Sequence, residues 1–283
     1  MLWQGDVETF LGALPKEQMF DLVITSPPYN IGKPYEQQQE LEDYAEQQRG
    51  IIEKIVARMR PTGSICWQVG NYVCKGNRAR DSYILPLDYV FHPIFDQLGL
   101  RLRNRVVWQF GHGLNCRHRF SGRYEVALWY TFSREYKFNL DDVRVPQKYP
   151  GKKHYKGPKA GEYSSNPLGK NPSDVWEIPN VKSNHVEKTD HPCQFPVALV
   201  ERLVLALTDE DDLVFDPFAG AASAGVAAAL HNRRFIGCEK MPKYIDLGKH
   251  RVNAALAGEA KFRPLNKPIY DHTKSALSRK PQI

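Results

Sequence analysis

No stretch of the 283 residues approaches the roughly 20 consecutive apolar residues that a membrane-spanning helix needs, so a bilayer-embedded chain is not expected. Cysteine is scarce: Cys66, Cys74, Cys116, Cys193 and Cys238 are odd in number and scattered, with no CxxC pair and no zinc-ligand spacing. This pattern argues against a disulfide framework, offers no metal site, and points to reduced thiols in a cytoplasm. The first ten residues, MLWQGDVETF, lack the basic start and apolar run of a secretory signal, so secretion is not expected. What is present is a globular composition, 42% hydrophobic, 25% charged and 11% aromatic, in a chain long enough for a core without staples. Lys and Arg outnumber Asp and Glu by 39 to 32, a formal charge of +7. That balance suits a polyanionic partner, and it equally suits a slightly basic enzyme.

Short apolar runs bounded by turn signals recur at residues 22–24, 65–69, 105–108, 126–130, 213–215 and 235–237, each reading as a buried strand. Helical patterns, with apolar residues three and four apart, lie between them at 44–59, 87–98 and 197–207. Such alternation predicts an α/β fold with a largely parallel sheet. Residues 140–190 break it, crowded with Lys, Pro, Gly, Asn and Ser and showing no sustained period. Between residues 144 and 188, nine Lys or Arg face four acids, interleaved with Tyr149, Tyr155, Tyr163 and Trp176. A solvated loop would look like this, and so would a surface that neutralises phosphates and stacks on bases. The expected organisation is a first half of the core at 1–139, an insertion at 140–190, a second half at 191–256, and a poorly packed basic tail at 257–283.

Two motifs carry chemistry. Thr25-Ser26-Pro27-Pro28-Tyr29-Asn30 follows an apolar run, placing a rigid, donor-poor loop at the carboxyl edge of a sheet, where open α/β folds bind ligands. The proline carbonyls are free to accept hydrogen bonds, and Tyr29 offers a flat face to a planar group; a tight Pro-Pro turn is the plain alternative. In the second motif a strand ends in Asp216, a turn Pro217-Phe218-Ala219-Gly220-Ala221-Ala222-Ser223 opens a helix, and Glu239 closes the next strand. That spacing builds a nucleotide pocket whose second acid reaches ribose hydroxyls. A dinucleotide fingerprint is the competing reading. The turn is not GxGxxG, however, and Asp216 would repel a pyrophosphate while attracting the ammonium of S-adenosylmethionine.

With these motifs in this order, and a basic insertion between them, the chain resembles the β class of bacterial DNA amino-methyltransferases over residues 5–251. The resemblance implies a Rossmann-like S-adenosylmethionine-dependent fold: a mostly parallel central sheet flanked by helices, with a small irregular target-recognition insertion. It implies that Ser26 and the Pro27 carbonyl accept from the amine of a flipped base, with Pro28 and Tyr29 completing the wall. It assigns the cofactor to Asp6, Thr25, His191, Gln194, Phe195, Asp216, Pro217, Phe218, Gly220, Ser223, Glu239 and Lys240, with S-adenosylhomocysteine as product and no metal. Asp216 would hold the ammonium, Glu239 the ribose hydroxyls and Asp6 the adenine side; for Ser223, Gln194 and His191, capping or turn packing is an equal alternative. Two departures stand out. The usual Gly-Ser-Gly-Thr stretch reads Ala221-Ala222-Ser223-Ala224, and Phe195 replaces a common Lys.

Pro192-Cys193-Gln194 resembles the nucleophile motif of cytosine-C5 methyltransferases, but there it follows the cofactor turn, so a covalent route through Cys193 is not expected. The glycine-punctuated loop 111–123 offers Arg117, Arg119 and Arg123 to phosphate or guanine, and the insertion offers Lys152, Lys153 and Lys156. Residues 32–50 read as a mobile lid. The partner expected is double-stranded DNA, the target adenine N6 in preference to cytosine N4, the assembly a homodimer, and the location the bacterial cytoplasm at the nucleoid. Ser26 in place of Asp or Asn leans toward cytosine, while the Pro-Pro-Tyr-Asn continuation and compact insertion look more like stand-alone adenine enzymes. A cognate restriction endonuclease is compatible but not implied. The rival readings are an idle DNA-binding regulator and an RNA or protein methyltransferase.

Overall fold

The computed structural model describes every residue except 16, 34, 35, 37, 114, 276, 277 and 279–283. In chain order the elements are β1 (Leu2–Gln4), α1 (Val7–Ala13), β2 (Phe20–Thr25), α2 (Leu41–Val56), β3 (Met59–Val69), β4 (Asn71–Cys74), β5 (Tyr83–Pro86) and α3 (Leu87–Gln97). There follow β6 (Arg101–Gln109), β7 (Tyr124–Thr131), β8 (Val175–Glu177), α4 (Val197–Leu207), β9 (Leu213–Asp216), α5 (Ser223–Leu230), β10 (Arg234–Glu239) and α6 (Pro242–Leu256). Eight strands form one sheet in the order β1-β10-β9-β2-β3-β7-β6-β8, and β4 and β5 form a separate hairpin. All neighbours in the large sheet are parallel except β7, which runs against both β3 and β6. The carboxyl ends of β2, β3, β6, β9 and β10 therefore share one edge with the amino end of β7.

Period-two alternation splits the core across the sheet. Leu22, Cys66 and Val214 face a cluster built with α4, α5 and the end of α6, while Val23, Ile65, Trp67 and Phe215 face α1, α2 and α3. All six residues of β2 are buried, as a central parallel strand requires. Phe20 and Phe215 stack at 4.2 Å between ring centres, locking β2 to β9 on the second face.

Helix α5 is a run of small residues because it is squeezed against its neighbours. A Cβ added at Gly225 would lie 2.6 Å from the Phe235 ring and 2.8 Å from Val252. Gly225→Ala is expected to lower unfolding free energy by about 1–3 kcal/mol, the usual cost of overpacking, measured by urea denaturation. An unchanged midpoint would show that α5 has room to move.

The strands and helices appear where the apolar patterns place them, with shifted ends: the pattern at 44–59 becomes α2 (Leu41–Val56), and Met59 already belongs to β3. Elements β1, α1 and α6 lie outside those runs, as do two features in the middle of the chain. Hairpin β4–β5 projects after β3, and β8, inside the basic insertion, pairs in parallel with β6. Val143, Trp176 and Ile178 join the core, so the projecting part of the insertion is residues 144–173, pinched by the bridge Val145–Lys170. The start of the tail is packed rather than loose. Ala260, Phe262 and Leu265 lie against the first core cluster, and the Arg263 amide donates to Glu187. Residues 276, 277 and 279–283 of that tail lie outside the described residues. Among the described residues, no helix is long and apolar enough to cross a membrane.

Candidate active site

At the shared edge lies a cavity of about 850 Å³ that collects both motifs: Ser26, Pro27, Pro28 and Tyr29 on one side, Pro217, Phe218, Gly220, Ser223 and Glu239 on the other. The two are joined by a bond that no local pattern foretells. Thr25 Oγ1 donates to Asp216 Oδ1 at 2.6 Å across 191 positions of sequence, tying the end of β2 to the end of β9. The Phe218 amide donates to the same oxygen at 3.1 Å. Asp216 Oδ2 is buried and has no hydrogen-bond partner. Burial pushes this carboxyl up to about 7, against the opposing hydrogen bonds from Thr25 and Phe218. Neither Thr25 nor Asp216 lines the cavity; both stand directly behind its wall.

Glu239 does line it. Its Oε2 accepts from the Gly220 amide at 3.0 Å and its Oε1 from the Met241 amide at 2.7 Å, which fixes the carboxylate with lone pairs to spare. Burial raises its carboxyl above the ordinary range. Asp6 lines the cavity too, as the N-cap of α1, accepting from the Glu8 amide at 2.9 Å. His191, Gln194, Phe195 and Lys240 complete this side. Burial drops the His191 imidazole to about 4, so it is neutral at physiological pH; its ring meets Tyr244 edge-on at 4.4 Å. Gln194 is held at both ends, accepting from Thr189 Oγ1 and donating to the Glu187 carbonyl. Ser223 Oγ donates to the Phe195 carbonyl at 2.9 Å and accepts from Arg251, bracing the turn.

The backbone moves the glycine-demanding positions of that turn. Left-handed φ falls at Gly220 (+50°) and Ala222 (+54°). The stretch corresponding to Gly-Ser-Gly-Thr is therefore Gly220-Ala221-Ala222-Ser223, one residue earlier than the sequence pattern indicates. Ala222 occupies a conformation that costs an L-residue roughly 1–2 kcal/mol. A Cβ at Gly220 would come within 2.9 Å of His191 Nε2, so this backbone must stay bare beside the cavity.

On the other side, four polar side chains form a chain. Ser26 Oγ donates to Tyr29 Oη at 3.1 Å, and Tyr29 Oη donates to Gln68 Oε1 at 3.0 Å, with Glu125 Oε2 at 3.3 Å. Gln68 Nε2 donates to Glu125 Oε2 at 2.5 Å. The sequence patterns passed over Gln68 and Glu125, although Gln68 interrupts the apolar run 65–69 and Glu125 adjoins the run 126–130, the signal that marks them. The loop beyond Tyr29 is organised by Glu36, which accepts from the amides of Asn30, Ile31 and Lys33. Asn30, at φ +59°, is buried and exchanges two hydrogen bonds with the Gln39 backbone.

None of the six basic residues expected to meet DNA lines the cavity. Loop 111–123 nevertheless springs from its rim, between cavity residues Phe110 and Glu125. Arg117 and Arg119 are exposed, Phe120 between them and the next strand is fully exposed, and Arg123 reaches back to Asn115 Oδ1 at 2.8 Å. In the insertion, Lys152, Lys153 and Lys156 are exposed, with Lys153 over the Tyr163 ring and Lys156 over Tyr155. Cys193 lines the cavity and is exposed, with its amide donating to His191 Nδ1.

A mostly parallel α/β sheet that delivers a Pro-Pro-Tyr wall and a Gly/Ala turn into one cavity defines a Rossmann-like methyltransferase core. The family model described as DNA methylase, of the N6/N4 methyltransferases, matches residues 20–250, and the chain belongs to that family. It is 47% identical over 246 residues to the type II methyltransferase M.BglII of Bacillus subtilis, covering 87% of this chain and 67% of that protein. The PvuII DNA methyltransferase, described as cytosine-N4-specific, superposes with a TM-score of 0.70 at 22% identity, covering 92% of this chain and 93% of its own. A Thermus thermophilus protein solved in complex with S-adenosyl-L-methionine gives a TM-score of 0.62 at 24% identity, covering 91% of this chain and 96% of its own. These two likenesses show the fold.

Proposed function

We propose that the chain transfers a methyl group from S-adenosylmethionine to the exocyclic amine of a base flipped out of double-stranded DNA, leaving S-adenosylhomocysteine. The observation that carries this reading is the junction of the two motifs at one cavity, held by the Thr25–Asp216 hydrogen bond. The residues fit the donor. Asp216 holds a buried oxygen without a partner, the turn over it is bare of side chain at Gly220, and Glu239 presents fixed acceptors. When bound, S-adenosylmethionine supplies an electrophilic methyl group on a sulfonium. Asp216 would then balance the ammonium from behind the turn, Glu239 would take ribose hydroxyls, and Asp6 would hold the adenine side. Ser26 Oγ and the Pro27 carbonyl accept from the amine and localise its lone pair on nitrogen, while Tyr29 stacks on the base. Positioning supplies most of the rate. Transfer of labelled methyl from the donor to duplex DNA tests the reading, and failure of duplex DNA to take up label overturns it.

Of the two amines, cytosine N4 is the reading we favour, because Ser26 is the side chain at the amine position. The Pro-Pro-Tyr-Asn continuation is one of the features that leaned the sequence toward adenine, and its Asn30 is spent on the Gln39 backbone. Adenine N6 is the second reading, supported by the compact insertion of residues 144–173. A homodimer is part of the proposal, and sedimentation equilibrium of the free protein reports it.

Two further outcomes follow. Asp216 must be ionised to balance an ammonium, and its carboxyl is raised to about 7, so donor affinity should climb about tenfold per pH unit below 7 and level off above it. The sign for stability is opposite: an acid raised above its unfolded value of about 3.9 binds its proton more tightly in the native state, so stability falls as pH rises from about 4 through 7. Asp216→Asn should flatten both profiles in calorimetric titration and thermal melts; a slope surviving in this variant would move the ionisation elsewhere. For DNA, the double substitution Arg117→Ala and Arg119→Ala should weaken binding uniformly across sequences. It should also reduce the slope of log K against log salt by about 2, one per lost phosphate contact. An unchanged salt slope would take loop 111–123 off the DNA.

A further inference from the structure

We propose that Glu125 is a positioning residue that makes the Ser26 hydroxyl a one-way acceptor for the target amine and takes up the proton the amine releases. The inference rests on the amine-transfer reading above. A serine hydroxyl can donate or accept, whereas the Asp or Asn common at this position in the family has an oxygen that only accepts. For Ser26 to accept from an amine, its own proton must be engaged elsewhere, and it is: Ser26 Oγ donates to Tyr29 Oη. Tyr29 in turn donates toward Gln68 Oε1 and Glu125 Oε2, and Gln68 donates to Glu125. A carboxylate at the end of such a chain has no proton to give, so it fixes the direction of every bond back to Ser26 and leaves a serine lone pair toward the cavity.

Topology explains how a carboxylate arrives there. Strand β7 runs against its neighbours, so its amino end, with Glu125 opposite Trp108 of β6, reaches the edge where β2 and β3 deliver Tyr29 and Gln68. Gly70 keeps the space open. A Cβ there would stand 3.1 Å from Glu125 Oε1 and 3.1 Å from the Tyr29 ring. The groups that act on Glu125 are Tyr29 from the β2 loop, the titratable one, and neutral Gln68 from β3; β6 contributes Trp108. Burial raises the Glu125 carboxyl and is partly offset by the bonds from Gln68 and Tyr29. Burial and the nearby carboxylate also keep Tyr29 a phenol. A raised carboxylate is a better proton acceptor near neutrality than an ordinary one.

The proton balance closes. As the N–C bond forms and the S–C bond breaks, its electron pair stays on sulfur and the nitrogen sheds one proton. That proton passes to Ser26 Oγ, the Ser26 proton to Tyr29 Oη, and the Tyr29 proton to Glu125 Oε2. Each hydroxyl ends as it began, and Glu125 ends neutral until it loses the proton to solvent.

The test compares Glu125→Gln, which removes the charge without changing shape, with Tyr29→Phe, which keeps the stacking face and cuts the chain. Single-turnover methylation of duplex DNA should slow at least 30-fold in each. The double variant should lie within about threefold of the slower single, because both break one chain. Donor and DNA dissociation constants, measured without turnover, should stay within twofold of wild type. With donor kept saturating at every pH, so that ionisation of Asp216 does not limit binding, the acid limb of the wild-type rate profile should vanish in Glu125→Gln, and Glu125→Asp should recover at least fivefold over it. A Glu125→Gln rate equal to wild type, multiplicative effects in the double variant, a rate loss that tracks either dissociation constant, or equal losses in the Asp and Gln variants would each overturn the relay. A wild-type chain that leaves DNA unmethylated overturns the parent reading and the relay together, whereas an unimpaired Glu125→Gln overturns the relay alone.

Discussion

Glu239→Ala is expected to weaken S-adenosylmethionine binding by about 100-fold while leaving affinity for DNA unchanged. The carboxylate is fixed by the Gly220 and Met241 amides and keeps unused lone pairs on the cavity side. Two hydroxyls bound to an ionised group are each worth about 1.5–3 kcal/mol, and a loss of about 3 kcal/mol corresponds to two decades in Kd. The hydroxyl contacts also favour the ionised form that burial disfavours, so binding and charge reinforce each other at this residue. The fold should survive, since the freed amides border the cavity and water can reach them. Isothermal titration with donor and with product reads the effect. A change under threefold would place the ribose elsewhere in the cavity.

Tyr29→Ala should cost about 1,000-fold in the single-turnover rate. Stacking of a base on an aromatic face is worth about 1–3 kcal/mol, and truncation also removes the hydroxyl that engages Ser26. Together these reach about 4 kcal/mol of barrier, or three decades. Donor affinity should hold, because Tyr29 follows β2 whereas Glu239 ends β10, with β9 between them. Quenched-flow measurement under excess enzyme isolates the transfer step, and a rate within tenfold of wild type would mean that the base stacks on another surface.

The central strands were legible because parallel strands covered on both faces read as bare apolar runs, as 22–24 and 213–215 do. Helix α4 was equally plain, since Pro196 stops the chain before it and its apolar spacing is strong. Both motifs could be read because their residue types are unusual in sequence. What joins them could not, because the Thr25–Asp216 bond depends on β9 lying beside β2, a fact of topology. Gln68 and Glu125 escaped for the same reason: they lie on different strands, and only the reversed direction of β7 brings them together. The one-residue shift of the glycine stretch reflects a backbone angle, which residue types at 220–223 leave ambiguous when alanine fills a left-handed position. Strand β8 is three residues long, too short to show a period, and it forms because β6 offers an edge.

The most direct test of the account is the identity of the modified nucleoside. Duplex DNA is incubated with the purified chain and labelled S-adenosylmethionine, digested to nucleosides, and separated against standards. The account predicts that label appears on an exocyclic amine, as N4-methylcytosine on the reading favoured here. N6-methyladenine would keep the amine chemistry and reverse the choice of base. Label in 5-methylcytosine, or none in DNA at all, would contradict the roles given to Ser26, Pro27 and Tyr29.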